Sequence, residues 1–187
     1  MKKVVLLLIL TFSFSGIYAQ EDKSTLFIKQ VLPNRIQVFR QEKGIVGQDI
    51  VDRYFAAGKG ASKVGKGKRP FEHIIQFTEK EKQYIRSEFL KMENESWSGN
   101  LYPDAKILTK DSLDKVSSKT DGDWQNFKKN VSTVYTFSRP IFLRHDKFVL
   151  FYVGYYCGNL CGEGSLAIYQ QKDDYWIPTA IIYSWIS

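Results

Sequence analysis

Few residues of this 187-residue chain have the types and spacing that chemistry needs. There are two cysteines, Cys157 and Cys161, and two histidines, His73 and His145. Two thiols with three residues between them suit a disulfide across a tight turn; a thiol-redox pair favours two intervening residues, and a metal would need two further ligands. Nucleophilic catalysis needs a Ser or Cys beside a positioned base. His145, next to Asp146, could in principle face Ser138 or Ser165, but Gly-x-Ser-x-Gly occurs nowhere. Turn chemistry alone accounts for the His145-Asp146 pair, and an ordinary core histidine accounts for His73.

Other near-signatures fall short in the same way. Gly60-Ala-Ser-Lys-Val-Gly65-Lys66-Gly67 misses a P-loop at its last position, where the Mg²⁺-holding hydroxyl is replaced by glycine, and Arg69-Pro70 follows where a helix should start. Asp121-Gly-Asp123 lacks the further oxygen ligands of a calcium loop, and Asp173-Asp174 reads as a turn. No cofactor or metal signature is present, and nothing points to nucleic acid. What remains is aromatic and basic. Tyr155, Tyr156, Trp176 and Trp185 form a candidate stacking platform, though core packing explains such residues too. Residues 58–69 carry Lys59, Lys63, Lys66, Lys68 and Arg69 between glycines with no acid, which reads as a flexible loop able to meet an anionic surface.

The elements that must position these residues concentrate late in the chain. Residues 134–187 hold 13 of the 28 aromatics, so the core centres there. Phe148 to Tyr156 is an uncharged run rich in Phe, Tyr and Val and closed by a glycine-rich turn, as expected of a strand buried on both faces. Val134–Leu143 reads as a strand that Pro140 confines to an edge or a bulge. Ser165–Gln170 and Tyr175–Ile186 follow across short turns, giving an antiparallel β-meander of about four strands. Trp176 and Trp185, nine apart, should face opposite sides, one of them in the core.

Upstream, Thr78-Glu-Lys-Glu81 is a capping box opening a helix from 79 to 93, with Ile85, Phe89 and Met92 as its buried stripe. Phe71, His73, Ile75 and Phe77 alternate as a strand would. Residues 26–32 fit either a helix or a strand, Arg35–Arg40 alternates, and Ser98–Lys106 is a polar connection. Asp111 could cap a short helix carrying Leu113 and Val116, and Trp124 to Phe127 could begin another turn. The fold class is therefore α+β: a C-terminal meander with one or more helices against it.

Phe137-Ser138-Arg-Pro140-Ile-Phe142, Tyr155-Tyr-Cys157-Gly-Asn-Leu-Cys161-Gly-Glu-Gly-Ser-Leu166 and the closing Trp176 and Trp185 are similar to a group of uncharacterised exported proteins of Gram-negative bacteria. In that group an SxPxF strand, a YYCGxLCGxG turn and a Trp-containing strand come in this order. The resemblance spans residues 71–187, its motifs lie from 135 onward, and it implies architecture and export but no chemistry.

The address is read from the other end. Lys2-Lys3, the apolar stretch Val4–Phe12 and Ile17-Tyr-Ala19 form a secretory signal peptide over residues 1–19, interrupted too early by Ser13, Ser15 and Gly16 to span a bilayer. No cysteine stands at the cleavage site for a lipid anchor. The remaining 20–187 make one domain, periplasmic or secreted, whose formal charge is +7 less two lysines, or +5. That excess permits an anionic envelope partner. The sequence favours a non-catalytic binding or accessory domain; the alternative is a small hydrolase whose site the fold assembles.

Overall fold

The computed structural model describes residues 23–43, 50–52, 55, 75–98, 101–112, 133–158 and 161–187. The chain divides after Asn34. In the first unit residues 23–31 are helical, closed by the Leu32 N–H on the Ile28 carbonyl at 2.8 Å. The second, from Arg35, carries the sheet.

Its framework is the C-terminal meander. Strands β3 (Val134–Phe137) and β4 (Ile141–Leu143) both pair antiparallel with β5 (Phe148–Gly158). Strand β5 pairs with β6 (Cys161–Lys172), and β6 with β7 (Tyr175–Ile186). Two short strands extend the sheet: β1 (Val38–Arg40), within the alternating stretch Arg35–Arg40, and β2 (Lys106–Leu108), which the sequence did not announce, β1 lying parallel to both β2 and β3. The order is β2-β1-β3-β5-β6-β7, with β4 on β5, a mixed sheet in an α+β fold.

Pro140 explains why 134–143 is not one strand. It has no N–H to give the ladder, and pairing lapses from Ser138 to Pro140. Ser138 repairs the gap: its N–H donates to the Tyr152 carbonyl, and its buried Oγ accepts the Tyr152 N–H, both at 3.0 Å. A side-chain oxygen thus stands in for the missing carbonyl.

Both sheet faces are buried along β5, as its uncharged sequence implies. One face carries Ile141, Leu150, Tyr152, Leu166, Ile168 and Ala180, covered by α1 (Glu79–Met92) through Ile85, Phe89 and Met92. The helix starts where its capping box predicts: the Glu81 N–H reaches Thr78 Oγ1 at 3.2 Å, and the Thr78 N–H reaches Glu81 Oε2 at 2.8 Å. The opposite face is an aromatic ladder, Phe39–Phe137–Phe151–Tyr169, with ring centroids 5.6 to 6.5 Å apart. Trp97 caps it at 5.1 Å from Phe137, its indole N–H on the Phe137 carbonyl.

Several sequence expectations need correction. Ile75–Phe77 is not a strand: it leads into the Thr78 cap, Ile75 buried in the core and Phe77 edge-on to Phe55 at 5.7 Å. The connection after Trp97 is not simply polar, because Leu101 and Tyr102 are buried in it. The helical turn at 110–112 is capped by Thr109 Oγ1, which accepts the Ser112 N–H, so Asp111 lies inside it. Leu113, Val116, Trp124 and Phe127 lie outside the described residues, as do the signal segment, His73, the 58–69 loop, Asp121 and Asp123.

Charged side chains tie helix to sheet. Arg139, leaving the β3–β4 break, meets Glu88 at 2.9 Å and Glu95 at 3.2 Å; Lys91 also holds Glu88, and Lys43 reaches Glu95 while lying over the Trp97 ring. Glu88 is only 7 % exposed, so these partners are what make its burial tolerable.

Replacing Ser138 by Ala should cost about 1–3 kcal/mol in urea denaturation, because the buried Tyr152 N–H loses its acceptor. Tyr102→Phe should cost almost nothing at pH 7, since the buried Tyr102 hydroxyl has no hydrogen-bond partner among the described residues. Burial pushes the Tyr102 phenol up to about 12. The folded state therefore favours the neutral phenol; its contribution is intact below pH 10 and lost as pH rises through 12. The Phe variant should flatten that alkaline limb in melting curves taken from pH 9 to 12.

Candidate functional site

Cys157 and Cys161 are bonded to each other, Cα atoms 5.1 Å apart, at the tip of the β5–β6 hairpin. Just below the tip the sheet loses side chains. Gly154 is registered against Gly164, and Tyr156 against Gly162, on the same face as the α1-covered core. Thr136 pairs with Gly154, so a strip of small residues crosses three strands.

Two rings lie on that strip. A Cβ at Gly164 would overlap the Trp185 indole and stand 2.9 Å from the Tyr152 hydroxyl; one at Gly154 would stand 2.8 Å from the same hydroxyl. The glycines are there because the rings come that close. Trp185 pairs with Gly164 across β6–β7, and its Nε1–H donates to Tyr152 Oη at 3.0 Å. A floor contact and a hydrogen bond hold the indole in one place, yet it remains partly exposed. Tyr156 edges the shelf over Gly162, beside the Ser187 hydroxyl.

Burial pushes the Tyr152 phenol up, while the Trp185 hydrogen bond and the Arg40 guanidinium pull it down. The phenol stays protonated at neutral pH, and its O–H has no acceptor among the described residues. The residue is buried, and its oxygen fills the space over Gly154 and Gly164.

Trp185 reaches this position because β7 carries two bulges. Pairing runs Leu166 with Tyr183, Ala167 with Ile181, Ile168 with Ala180 and Tyr169 with Pro178, so Ile182 and Thr179 are extra residues. Two insertions cancel in a period of two. Trp176 therefore does lie on the other face, where it meets Phe142 edge-on at 6.3 Å near the far end of the sheet. Neither tryptophan is fully buried, so the expected division into one core and one covering residue does not hold.

The four-residue platform is not assembled. Tyr155 is on the aromatic-ladder face beside Tyr135, at 6.1 Å, and Trp176 is at the opposite end; only Tyr156 and Trp185 share the shelf. Sequence reasoning missed Tyr152, Thr136, Gly154, Gly164 and Arg40. The Gly-x-Gly at 162–164 facing a tryptophan strand was the available signal, unreadable without the register.

Among the described residues, His145 does not meet Ser138 or Ser165. It is exposed in the turn 144–147, where Arg144, His145 and Asp146 have φ of 53°, 53° and 65°. Asp and His tolerate this left-handed region, and Arg144 is held there by Glu81 at 2.7 Å and the Gln76 carbonyl at 2.6 Å. Arg144 in turn holds the Glu81 carboxyl below its usual range. Ser165 is registered against Val153 and Ser138 lies opposite Tyr152. At about 3.4 Å per residue those hydroxyls stand roughly 17 and 14 Å up β5 from the end of the turn. Asp173, with φ of 52°, fills the tight β6–β7 turn.

Among the described residues, no group of three or more His, Cys, Asp or Glu could hold a metal, and no helix is long and apolar enough to cross a membrane. Comparison with protein-family models, curated proteins and solved structures yields no match.

Gly164→Ala should displace the indole, cost about 1–3 kcal/mol and shift the Trp185 indole N–H resonance. Combined with Trp185→Ala it should cost much less than the sum of the two, since the overlap it creates is then gone. Additive losses would show that the two residues do not touch.

Proposed function

We propose that this chain is an exported, non-catalytic binding domain whose ligand stacks on Trp185. One observation carries the reading: an accessible indole is laid on glycine and pinned by a hydrogen bond, so stacking on it loses little side-chain freedom. The partly exposed Thr136 nearby supplies a polar side chain beside the indole's sheet face, a combination expected of a site for a ring-bearing, hydroxyl-rich molecule such as a sugar. Export is supported by the signal pattern of residues 1–19 and by a disulfide, which persists in oxidising compartments. The distance of His145 from Ser138 and Ser165 takes away the residues on which a hydrolase reading would first be built.

The test is a titration of the purified protein with neutral oligosaccharides, followed by calorimetry. Trp185→Ala should weaken binding about thirtyfold, as loss of a central aromatic contact does, while Trp176→Ala leaves it unchanged. Equal effects of the two substitutions, or none, would remove the shelf from the account.

A second contact belongs to the basic loop, residues 58–69, whose partner we take to be an anionic component of the envelope. Its five cations should give log affinity for a flexible polyanion a slope of roughly −3.5 against log salt. Replacing Lys59, Lys63, Lys66, Lys68 and Arg69 by Gln should flatten that slope without moving the melting temperature.

A further inference from the structure

The aromatic-ladder face stays open at its disulfide end. Tyr135, Tyr155, Glu163 and Ile186 are in register there on β3, β5, β6 and β7, one residue per strand. Opposed residues share a face, so all four side chains rise from the same side of the sheet. Trp185 and its glycines lie on the other side. Tyr135 and Tyr155 are partly exposed, Glu163 is exposed, and Ile186 is 83 % exposed. The next row on this face is Val153, Ser165 and Ser184. These side chains are small and themselves at least partly exposed, so a molecule can reach the rings from solvent. At the inner end Phe39, registered against Tyr135 and edge-on to Tyr102 at 6.2 Å, closes the row.

The corner suits a cation. The Tyr135 and Tyr155 ring centroids are 6.1 Å apart with their planes tilted by 47°, so the rings are not stacked face to face. A cation about 3.5 Å above the midpoint would lie roughly 4.6 Å from both centroids, within the range of cation–π attraction. The Glu163 carboxylate accepts from the Tyr155 hydroxyl, which fixes negative charge at the rim of that ring. Desolvation and this carboxylate push the Tyr155 phenol up, so the ring stays neutral. Among the described residues no Lys, Arg or His is paired with Glu163, whereas Glu42, Glu79, Glu81, Glu88 and Glu95 each hold one. One carboxylate is too few for a metal ion, and a primary ammonium asks for three acceptors. A quaternary ammonium asks for none: ring faces and a nearby carboxylate satisfy its charge, and its methyl groups suit the rings and the exposed Ile186.

We propose that Tyr135, Tyr155 and Glu163 bind a quaternary ammonium group, its methyls against the two rings and Ile186 and its charge beside the carboxylate. This site is independent of the stacking role of Trp185, which lies on the opposite face.

The probe is choline, compared with its neutral carbon isostere, in which a tert-butyl group replaces the trimethylammonium. NMR titration of the purified protein with choline should give saturable shifts at Tyr135, Tyr155 and Glu163. The isostere should bind about tenfold more weakly, as loss of the cation–π contact implies. Glu163→Gln, at an exposed position, should weaken choline about fivefold and leave the isostere unchanged. Tyr155→Phe keeps the ring and should retain most of the binding, whereas Tyr155→Leu should abolish it. Trp185→Ala should have no effect. Melting curves establish that each variant is folded before binding is compared. No saturable shift, equal binding of choline and its isostere, a choline preference unchanged in Glu163→Gln, or binding that survives Tyr155→Leu overturns the inference. None of these results bears on the stacking of a ligand on Trp185.

Discussion

The pairing of β5 with β6 is the constraint on which the second unit depends. Ten residue pairs run from Phe148–Gln170 to Gly158–Cys161, and the hairpin is closed by a disulfide at its tip. Every other strand of the meander joins one of these two. Because successive residues point to opposite faces, this one ladder sends Leu150, Tyr152, Leu166 and Ile168 to the helix side and Phe151 and Tyr169 to the aromatic side. A slip of one residue would exchange the two cores, so burial on both faces fixes the register strongly. The same ladder aligns Gly154 with Gly164. The gap that admits Trp185 is a consequence of the register that builds the core.

The break at Ser138–Pro140 shows how an interruption is accommodated. Pro140 ends the ladder, Ser138 supplies the lost acceptor from its side chain, and the freed Arg139 turns to Glu88 and Glu95. A buried pair of this kind recovers little net stability after desolvation. What it does here is set the position of α1, since Glu88 must face the break when Ile85, Phe89 and Met92 face the sheet. The Arg144–Glu81 contact does the same at the helix's other end, with its residues more exposed to solvent screening.

The shelf and the core share a sheet face but differ in composition. Toward α1 the face is filled by branched aliphatic side chains; toward the disulfide it is floored by glycine and walled by rings and hydroxyls. Tyr152 belongs to both, its ring among the core residues and its oxygen facing Trp185. A rigid core thereby holds the Tyr152 hydroxyl in place against the Trp185 indole.

Much of the architecture was legible from the chain alone. The capping box at Thr78–Glu81, the buried stripe of α1, the uncharged β5 run and the extent of β7 follow from local periodicity and cap chemistry, which depend only on near neighbours in sequence. The 157–161 disulfide was readable for the same reason, its partners being four residues apart. What pairs across distance was not. Strand β2 is three residues, too short to show a period; β1 lies in the alternating stretch Arg35–Arg40, but its parallel pairing with β2 and β3 comes from contact with segments far along the chain. The site depended on distance most of all. Tyr155 and Tyr156 are neighbours in sequence yet on opposite faces, while Arg40 and Trp185, separated by most of the chain, lie in one row. Only the hydrogen-bond register, set by the burial of both faces at once, decides which side chains share a surface.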